Sequence, residues 1–124
     1  MTALLVVLGA AVGAPCRWLL DRYVQGRTDA VMPWGTFSVN VLGSALLGVL
    51  VAAHTLGPAS AAAVALLGTG FAGAFTTFST FAWETFRLVE EGAPLVAAVN
   101  VAASLAAGLV AAVTGWLLGV AVWG

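Results

Sequence analysis

The sequence predicts an all-α membrane protein with four transmembrane helices, the third of them broken at the bilayer midplane. Three observations support this fold class. Of the 124 residues, 62% are hydrophobic and only 7% are charged, whereas a soluble domain carries about 25% charged residues. Four apolar segments each approach or exceed the roughly 20 residues that a helix needs to cross a bilayer. The third segment is longer than one crossing requires, and glycines and paired threonines interrupt its middle.

Helix one is predicted over residues 2–23. Its apolar start resembles a signal peptide, but no Lys or Arg precedes it and the first positive charge, Arg17, follows it, so we expect a retained helix. Gly9 and Gly13 are four residues apart, which predicts close approach of another helix. Arg17 is expected near the helix end, either as an interfacial anchor or as the electropositive lining of an anion vestibule.

Helix two is predicted over residues 33–54 and begins with a Pro-Trp-Gly sequence that suits a first turn at the membrane interface. Asn40 lies about two turns inside the membrane. Its amide therefore needs a partner, which is either another helix or a solute in a pore. Small and polar residues recur every four positions and share one face of this helix: Thr36, Asn40, Ser44 and Gly48.

Helix three is predicted over residues 59–89, with a break near residues 73–77. Residues 70–81 bring glycines, hydroxyl side chains and phenyl rings together near the midplane. Backbone groups freed at that depth are tolerated only where they are buried in protein or line a polar cavity or ion site. In an unbroken helix, two sets of side chains would each share a face: Phe71, Phe75 and Phe78, and Thr77, Thr80 and Glu84.

Helix four is predicted over residues 94–122, where Asn100, Ser104 and Gly108 form a second polar or small face. The sequence contains no Walker loop, HExxH, GxSxG or paired Cys/His set, and it has a single cysteine. We therefore expect no enzyme activity. The absence of basic runs gives no support for nucleic-acid binding.

The polar faces of helices two, three and four would line a pathway with amides, hydroxyls and ring edges if they converge. Amide N–H and hydroxyl groups donate hydrogen bonds, and the edge of a phenyl ring carries positive potential. A row of such weak donors suits a compact anion and also lets it leave again. The residues thus indicate a small-ion pathway with a preference for anions.

Residues 70–84, with the sequence GFAGAFTTFSTFAWE, resemble the signature of the CrcB/Fluc family of fluoride ion channels, as do residues 13–18 and 33–43. The resemblance covers essentially the whole chain. It implies a passive, fluoride-selective channel in the bacterial plasma (inner) membrane, a multi-pass protein whose efflux of fluoride reduces cytoplasmic toxicity. It also implies an antiparallel, dual-topology dimer with two pores.

The resemblance further implies roles for individual residues. Backbone carbonyls of Gly73 and Thr76 from both subunits would hold a structural sodium ion at the dimer centre. Relatives often carry another hydroxyl where this chain has Gly108, which leaves the helix-four part of the pathway open. The residues implied in the fluoride pathway are Asn40, Phe78, Phe81, Ser79, Thr80, Glu84 and Ser104.

The arginines favour a single orientation in the membrane. All of them lie toward one side: Arg17, Arg22, Arg27 and Arg87. The positive-inside rule makes that side cytoplasmic and places both termini outside. A chain that inserts in both orientations should show little arginine bias, so this bias favours a paralogue of opposite topology as the dimer partner. A second copy of the chain is the alternative.

Two other classes of protein compete with the channel hypothesis. A small multidrug exporter would need a membrane-embedded carboxylate, typically in helix one, but that helix has no acidic residue before Asp21. A purely structural membrane subunit would explain the small-residue faces. It would not explain the cluster of phenyl rings and hydroxyls at the midplane.

Overall fold

The fold is built from four helices that are long and apolar enough to cross a membrane, which confirms the predicted number of spans. A computed structural model describes all 124 residues. Helix α1 spans Thr2–Gln25, α2 spans Trp34–Thr55 and α4 spans Pro94–Trp123. The third span covers Ala61–Glu90.

Proline, serine and glycine mark the ends of the spans. Pro33 immediately precedes α2 and Pro94 opens α4, where the missing N–H of proline leaves no donor unpaired. Ser60 caps the third span, because its Oγ accepts the Ala63 N–H at 3.2 Å. Gly92, with φ of 81°, makes the turn into α4 in a conformation that favours glycine.

The third span consists of two helical segments, α3a (residues 61–75) and α3b (Ser79–Glu90). Within α3a, Val64–Ala72 has π-helical winding, which nothing in the sequence predicts. Thr76 is extended, with φ −80° and ψ 160°. The two segments together cross as one span bent by 17°. Residues 76–78 within it are not helical, and the predicted break near residues 73–77 stays a prediction.

Helix α1 packs closely on α3a through glycines. A Cβ atom on Gly9 would overlap the Leu66 carbonyl oxygen, and a Cβ atom on Gly13 would overlap the Phe71 carbonyl oxygen. Gly70 lies against Val6 and Gly9 in return. The close approach predicted from the spacing of Gly9 and Gly13 is therefore confirmed.

Helices α2 and α4 form an extensive contact, comparable to that of α1 with α3a. A Cβ atom on Gly48 would overlap the Ala112 carbonyl oxygen, and a Cβ atom on Gly115 would overlap the Ala45 carbonyl oxygen. The two backbones thus touch directly. This contact fixes the distance between the two helices that flank the polar residues of the third span.

We expect Gly115→Ala to lower the free energy of unfolding by about 1–3 kcal/mol, because the added methyl group meets the Ala45 backbone rather than a movable side chain. Thermal unfolding of the purified protein in detergent measures the effect. Thr114→Ala is the matched control, since Thr114 is exposed and its hydroxyl contacts only the Val110 carbonyl oxygen. Equal stability of Gly115→Ala and the parent chain would contradict the close backbone contact.

Candidate ion pathway

Asn40 on α2 binds the backbone of Thr77 at the interruption in the third span. Asn40 Oδ1 accepts the Thr77 N–H at 2.8 Å, and Asn40 Nδ2 donates to the Thr77 carbonyl oxygen at 2.9 Å. Thr77 is buried, with 9% of its surface exposed. One side chain thus pairs both backbone groups of a residue that has left the helix, and one N–H of the Asn40 amide stays without a partner.

The interruption frees backbone carbonyl groups. In a regular helix, the N–H groups of residues 77 and 78 would bond the carbonyls of Gly73 and Ala74. Here the Thr77 N–H goes to Asn40 instead, and the carbonyl oxygens of Gly73, Ala74 and Thr76 accept no hydrogen bond within the chain. Gly73 is exposed and no atom lies within 3.8 Å of a Cβ built on it, so its backbone is accessible.

These free carbonyls fit a hard cation such as sodium, which takes oxygen ligands. The chain has no group of three or more His, Cys, Asp or Glu side chains that could hold a metal ion. The implied sodium ligands, Gly73 and Thr76, both belong to this group of carbonyls without hydrogen bonds.

A groove of about 290 Å³ opens beside the interruption, and we call it the phenylalanine groove. The Phe78 and Phe81 rings line it with their centroids 5.9 Å apart and their planes at 48°, and Phe78 is 79% exposed. Its lining residues come from α2, the third span and α4: Asn40, Ser44, Leu47, Thr76, Thr77, Phe78, Phe81, Ser104, Leu105 and Gly108.

Four phenyl rings of the third span form two pairs. Phe71 and Phe75 stack with centroids 5.5 Å apart and planes at 14°, whereas Phe78 pairs with Phe81. The face that Phe71, Phe75 and Phe78 would share in an unbroken helix does not form. The extended conformation of Thr76 removes Phe78 from the register of the preceding helix.

A second cavity, of about 200 Å³, lies on the α1 side of Thr77, and we call it the arginine vestibule. Arg17 is half-buried there and forms no ion pair, since the one ion pair of the chain joins Arg87 and Glu91. The vestibule is lined by Arg17, Trp18, Asp21, Thr36, Val39, Thr77 and Thr80.

Hydroxyl groups connect the two cavities. Thr77 lines both of them, and its Oγ1 donates to Thr80 Oγ1 at 3.1 Å and accepts the Thr80 N–H at 3.2 Å. The Oγ of Ser79, an exposed residue, lies 3.4 Å from Thr77 Oγ1. Thr77, which was not among the implied pathway residues, is therefore the junction of the hydroxyl network.

Glu84 lies beyond the vestibule, at the charged end of the bundle. Its Oε1 accepts the Thr36 hydroxyl at 2.9 Å, whereas its Oε2 is buried and has no hydrogen-bond partner in the chain. Thr36 also lines the vestibule. Polar groups therefore continue from the phenylalanine groove through Thr77 and Thr80, in the arginine vestibule, to Thr36 and its partner Glu84.

Asn100 on α4 bonds Ser104, which lines the groove, and the sequence did not identify Asn100 as a site residue. It is 1% exposed, its Nδ2 donates to Thr85 Oγ1 at 2.9 Å, and its Oδ1 accepts the Ser104 hydroxyl at 3.3 Å. Thr85 Oγ1 in turn donates to the Phe81 carbonyl oxygen at 2.7 Å. The four-residue spacing of Asn100 and Ser104 signalled their shared face but not this network.

The fold and these cavities define a small multi-pass membrane protein with a polar pathway of ring edges, hydroxyls and one amide beside a helix interruption. A family model described as "CrcB-like protein, Camphor Resistance (CrcB)" matches residues 4–116. The chain belongs to this family.

Curated relatives match nearly the whole chain. A protein of Streptomyces avermitilis named "Fluoride-specific ion channel FluC 1" is 54% identical over 123 residues, which cover 99% of each chain. A protein of Frankia casuarinae with the same name is 54% identical over 129 residues, covering all of both chains. A protein of Shewanella sp. (strain ANA-3), named "Fluoride-specific ion channel FluC", is 45% identical over 82% of each chain.

We expect Asn40→Ala to lower the free energy of unfolding by about 2–5 kcal/mol, because it leaves both backbone groups of buried Thr77 unpaired. The same change should speed hydrogen exchange at the Thr77 amide. Hydrogen–deuterium exchange of peptides covering residues 76–81 measures this effect.

Ser38→Ala on the same helix is the control, since the Ser38 hydroxyl bonds only the Trp34 carbonyl oxygen. Unchanged exchange at Thr77 in Asn40→Ala would show that the amide does not hold the interruption.

Proposed function

We propose that this chain is a fluoride-selective ion channel that lets fluoride leave the cell passively across the bacterial plasma membrane. Such efflux would reduce the toxicity of fluoride in the cytoplasm. The observation that carries the proposal is the phenylalanine groove, where two phenyl rings lie beside hydrogen-bond donors without partners. The names of the relatives from Streptomyces avermitilis and Frankia casuarinae support fluoride as the ion.

The chemistry of the groove suits fluoride better than a larger halide. Fluoride is compact and accepts strong hydrogen bonds, so amide and hydroxyl donors in a narrow space can replace part of its water shell. Phe78 and Phe81 would add the positive potential of their ring edges. None of these contacts involves a full positive charge, so the ion is not trapped.

The other residues implied by the resemblance would line the same fluoride pathway. Ser79, Thr80 and Glu84 follow one another along α3b toward the charged end, and Ser104 faces the groove from α4. Arg17 would supply positive potential in the vestibule, which its lack of an ion pair supports. Asn40 would combine a structural bond to Thr77 with a donor for fluoride.

A dimer would cover the face that carries the interruption. Phe78 is largely exposed, and Gly73 is exposed beside carbonyl oxygens that accept no hydrogen bond. In lipid, each unsatisfied backbone group costs several kcal/mol. We infer that a second subunit packs here as an antiparallel, dual-topology dimer, and that the interruption acts as the predicted break near residues 73–77.

A structural sodium ion at the centre of this dimer would satisfy the carbonyl oxygens of Gly73 and Thr76 from both subunits. Their lack of hydrogen bonds and the accessible backbone at Gly73 support this assignment. The ion would hold the two interruptions together. The residues of this chain would contribute oxygen ligands only.

The dimer partner is either a second copy of this chain or a paralogue of opposite topology. The four arginines lie toward the same end of the bundle, and Lys is absent from the sequence. This bias favours insertion in one orientation. A chain with one orientation needs an oppositely inserted partner, whereas a self-pairing chain must insert both ways.

Purified protein in liposomes should release fluoride rapidly and chloride slowly, as followed with ion-selective electrodes. Phe78→Ala should slow fluoride efflux by up to about tenfold, because one ring edge is lost from the groove. Phe86→Ala is the matched control, since Phe86 is an exposed ring on α3b that does not line the groove. Folded protein that releases no fluoride, alone or with an opposite-topology partner, would contradict the channel and favour the exporter or structural hypothesis.

The loop between α1 and α2 should lie on the cytoplasmic side in nearly all copies, because the arginines flank it. Asp29→Cys in a Cys16→Ser background tests this with a membrane-impermeant maleimide on intact cells. Protection from labelling would require a partner of opposite topology for an antiparallel dimer. Labelling of about half of the copies would contradict the single orientation and support a homodimer.

A further inference from the structure

Four hydroxyl side chains line the phenylalanine groove, and only one of them keeps its proton free. The hydroxyl of Ser44 makes no hydrogen bond within the chain, although it lines the groove. The other three donate to groups of the chain: Thr76 to the Ala72 carbonyl oxygen at 2.9 Å, Thr77 to Thr80 Oγ1 at 3.1 Å and Ser104 to Asn100 Oδ1 at 3.3 Å.

Ser44 also differs from two other hydroxyl residues of helix α2, which donate to carbonyl oxygens of their own helix. Serine and threonine in helices commonly donate to a carbonyl oxygen one turn earlier. On α2, Ser38 donates to the Trp34 carbonyl oxygen at 2.7 Å and Thr55 donates to the Val51 carbonyl oxygen at 3.0 Å. Because Ser44 makes no such bond, its proton is available to a solute in the groove.

Asn40 offers a second free donor one turn away. Its amide uses one N–H for the Thr77 carbonyl oxygen and keeps the other. Residues four apart lie on the same helix face, about 6 Å from each other along the axis. Helix α2 therefore presents two consecutive donors to the groove that the Phe78 and Phe81 rings also line.

Gly108 on α4 lines the phenylalanine groove beside Ser44. A Cβ atom built on Gly108 would lie 3.6 Å from Ser44 Oγ, an ordinary van der Waals distance. A hydroxyl side chain at position 108 would thus reach the space beside Ser44. In this chain α4 has no side chain there, and the nearest free donor comes from α2.

We propose that Ser44 contacts fluoride in the pathway and supplies a hydroxyl donor from α2 at the point where α4 has only Gly108. This assignment rests on the proposed fluoride channel. Ser44 and the free N–H of Asn40 form successive donor positions, and fluoride moves from one to the other past the two phenyl rings. Ser104 donates its proton to Asn100 Oδ1, so Ser44 rather than Ser104 offers the free hydroxyl donor of the groove.

The test measures fluoride efflux from liposomes for Ser44→Ala beside Ser38→Ala. We expect Ser44→Ala to slow efflux about tenfold, as for loss of one hydrogen bond to a charged group. Ser38→Ala should leave efflux unchanged, because the Ser38 proton is used within its own helix. Ser44→Cys, of nearly the same size but a weak donor, should resemble Ser44→Ala and serves if the alanine variant folds poorly.

Moving the hydroxyl group from position 44 to position 108 distinguishes the effect of hydrogen-bond donation from the effect of side-chain packing. Gly108→Ser in the Ser44→Ala background should recover most of the efflux, whereas Gly108→Ala in that background should not. Parent-like efflux in both Ser44 variants, or equal recovery by Gly108→Ala and Gly108→Ser, would overturn the role of Ser44. Absence of fluoride efflux from the parent chain itself, alone and with an opposite-topology partner, would instead overturn the channel together with this inference.

Discussion

The two hydrogen bonds between Asn40 and the backbone of Thr77 are the constraint on which the pathway depends. A helix interruption inside a membrane leaves backbone groups that no water can satisfy. The Asn40 amide satisfies one donor and one acceptor at once, with distances of 2.8 and 2.9 Å. It thereby allows the third span to cross as one bent helix while Phe78 leaves the register of Phe71 and Phe75. A single polar residue thus pairs both backbone groups of Thr77, while the carbonyl oxygens of Gly73, Ala74 and Thr76 stay without a hydrogen bond within the chain.

Glycine contacts then determine where the groove can open. Lipid tails are as apolar as leucine, so membrane helices associate through close packing rather than through the hydrophobic effect. Gly9 and Gly13 bring α1 onto α3a, and Gly48 and Gly115 bring α2 onto α4. Neither contact covers Phe78, which is 79% exposed. The bundle is therefore tight away from the interruption and open beside it, which is the arrangement that a second subunit would complete.

The sequence predicted the parts of this structure that depend on composition and on helical spacing. The four spans follow from apolar length, and the contact at Gly9 and Gly13 follows from small residues at four-residue spacing. The π-helical winding of Val64–Ala72 could not be predicted, because it depends on how the chain packs in three dimensions. Helical spacing also placed Asn100 on a polar face without revealing its bonds to Thr85 and Ser104. Spacing identifies a face, but hydrogen-bond partners require the neighbouring helix.

What the groove can bind depends on how many hydroxyl and amide protons are free to donate a hydrogen bond, rather than on the number of polar residues. Most hydroxyls of the pathway are polar in the sequence but already use their protons in the folded chain, as Thr76 and Ser104 do. Only donors without partners can replace the water of an anion at no cost to the protein's own hydrogen bonds. A groove with few such donors, and with phenyl ring edges instead of a full positive charge, holds a compact anion weakly at each position. Weak binding at successive positions is the condition for rapid passage, so the sparse polar lining is consistent with conduction rather than storage.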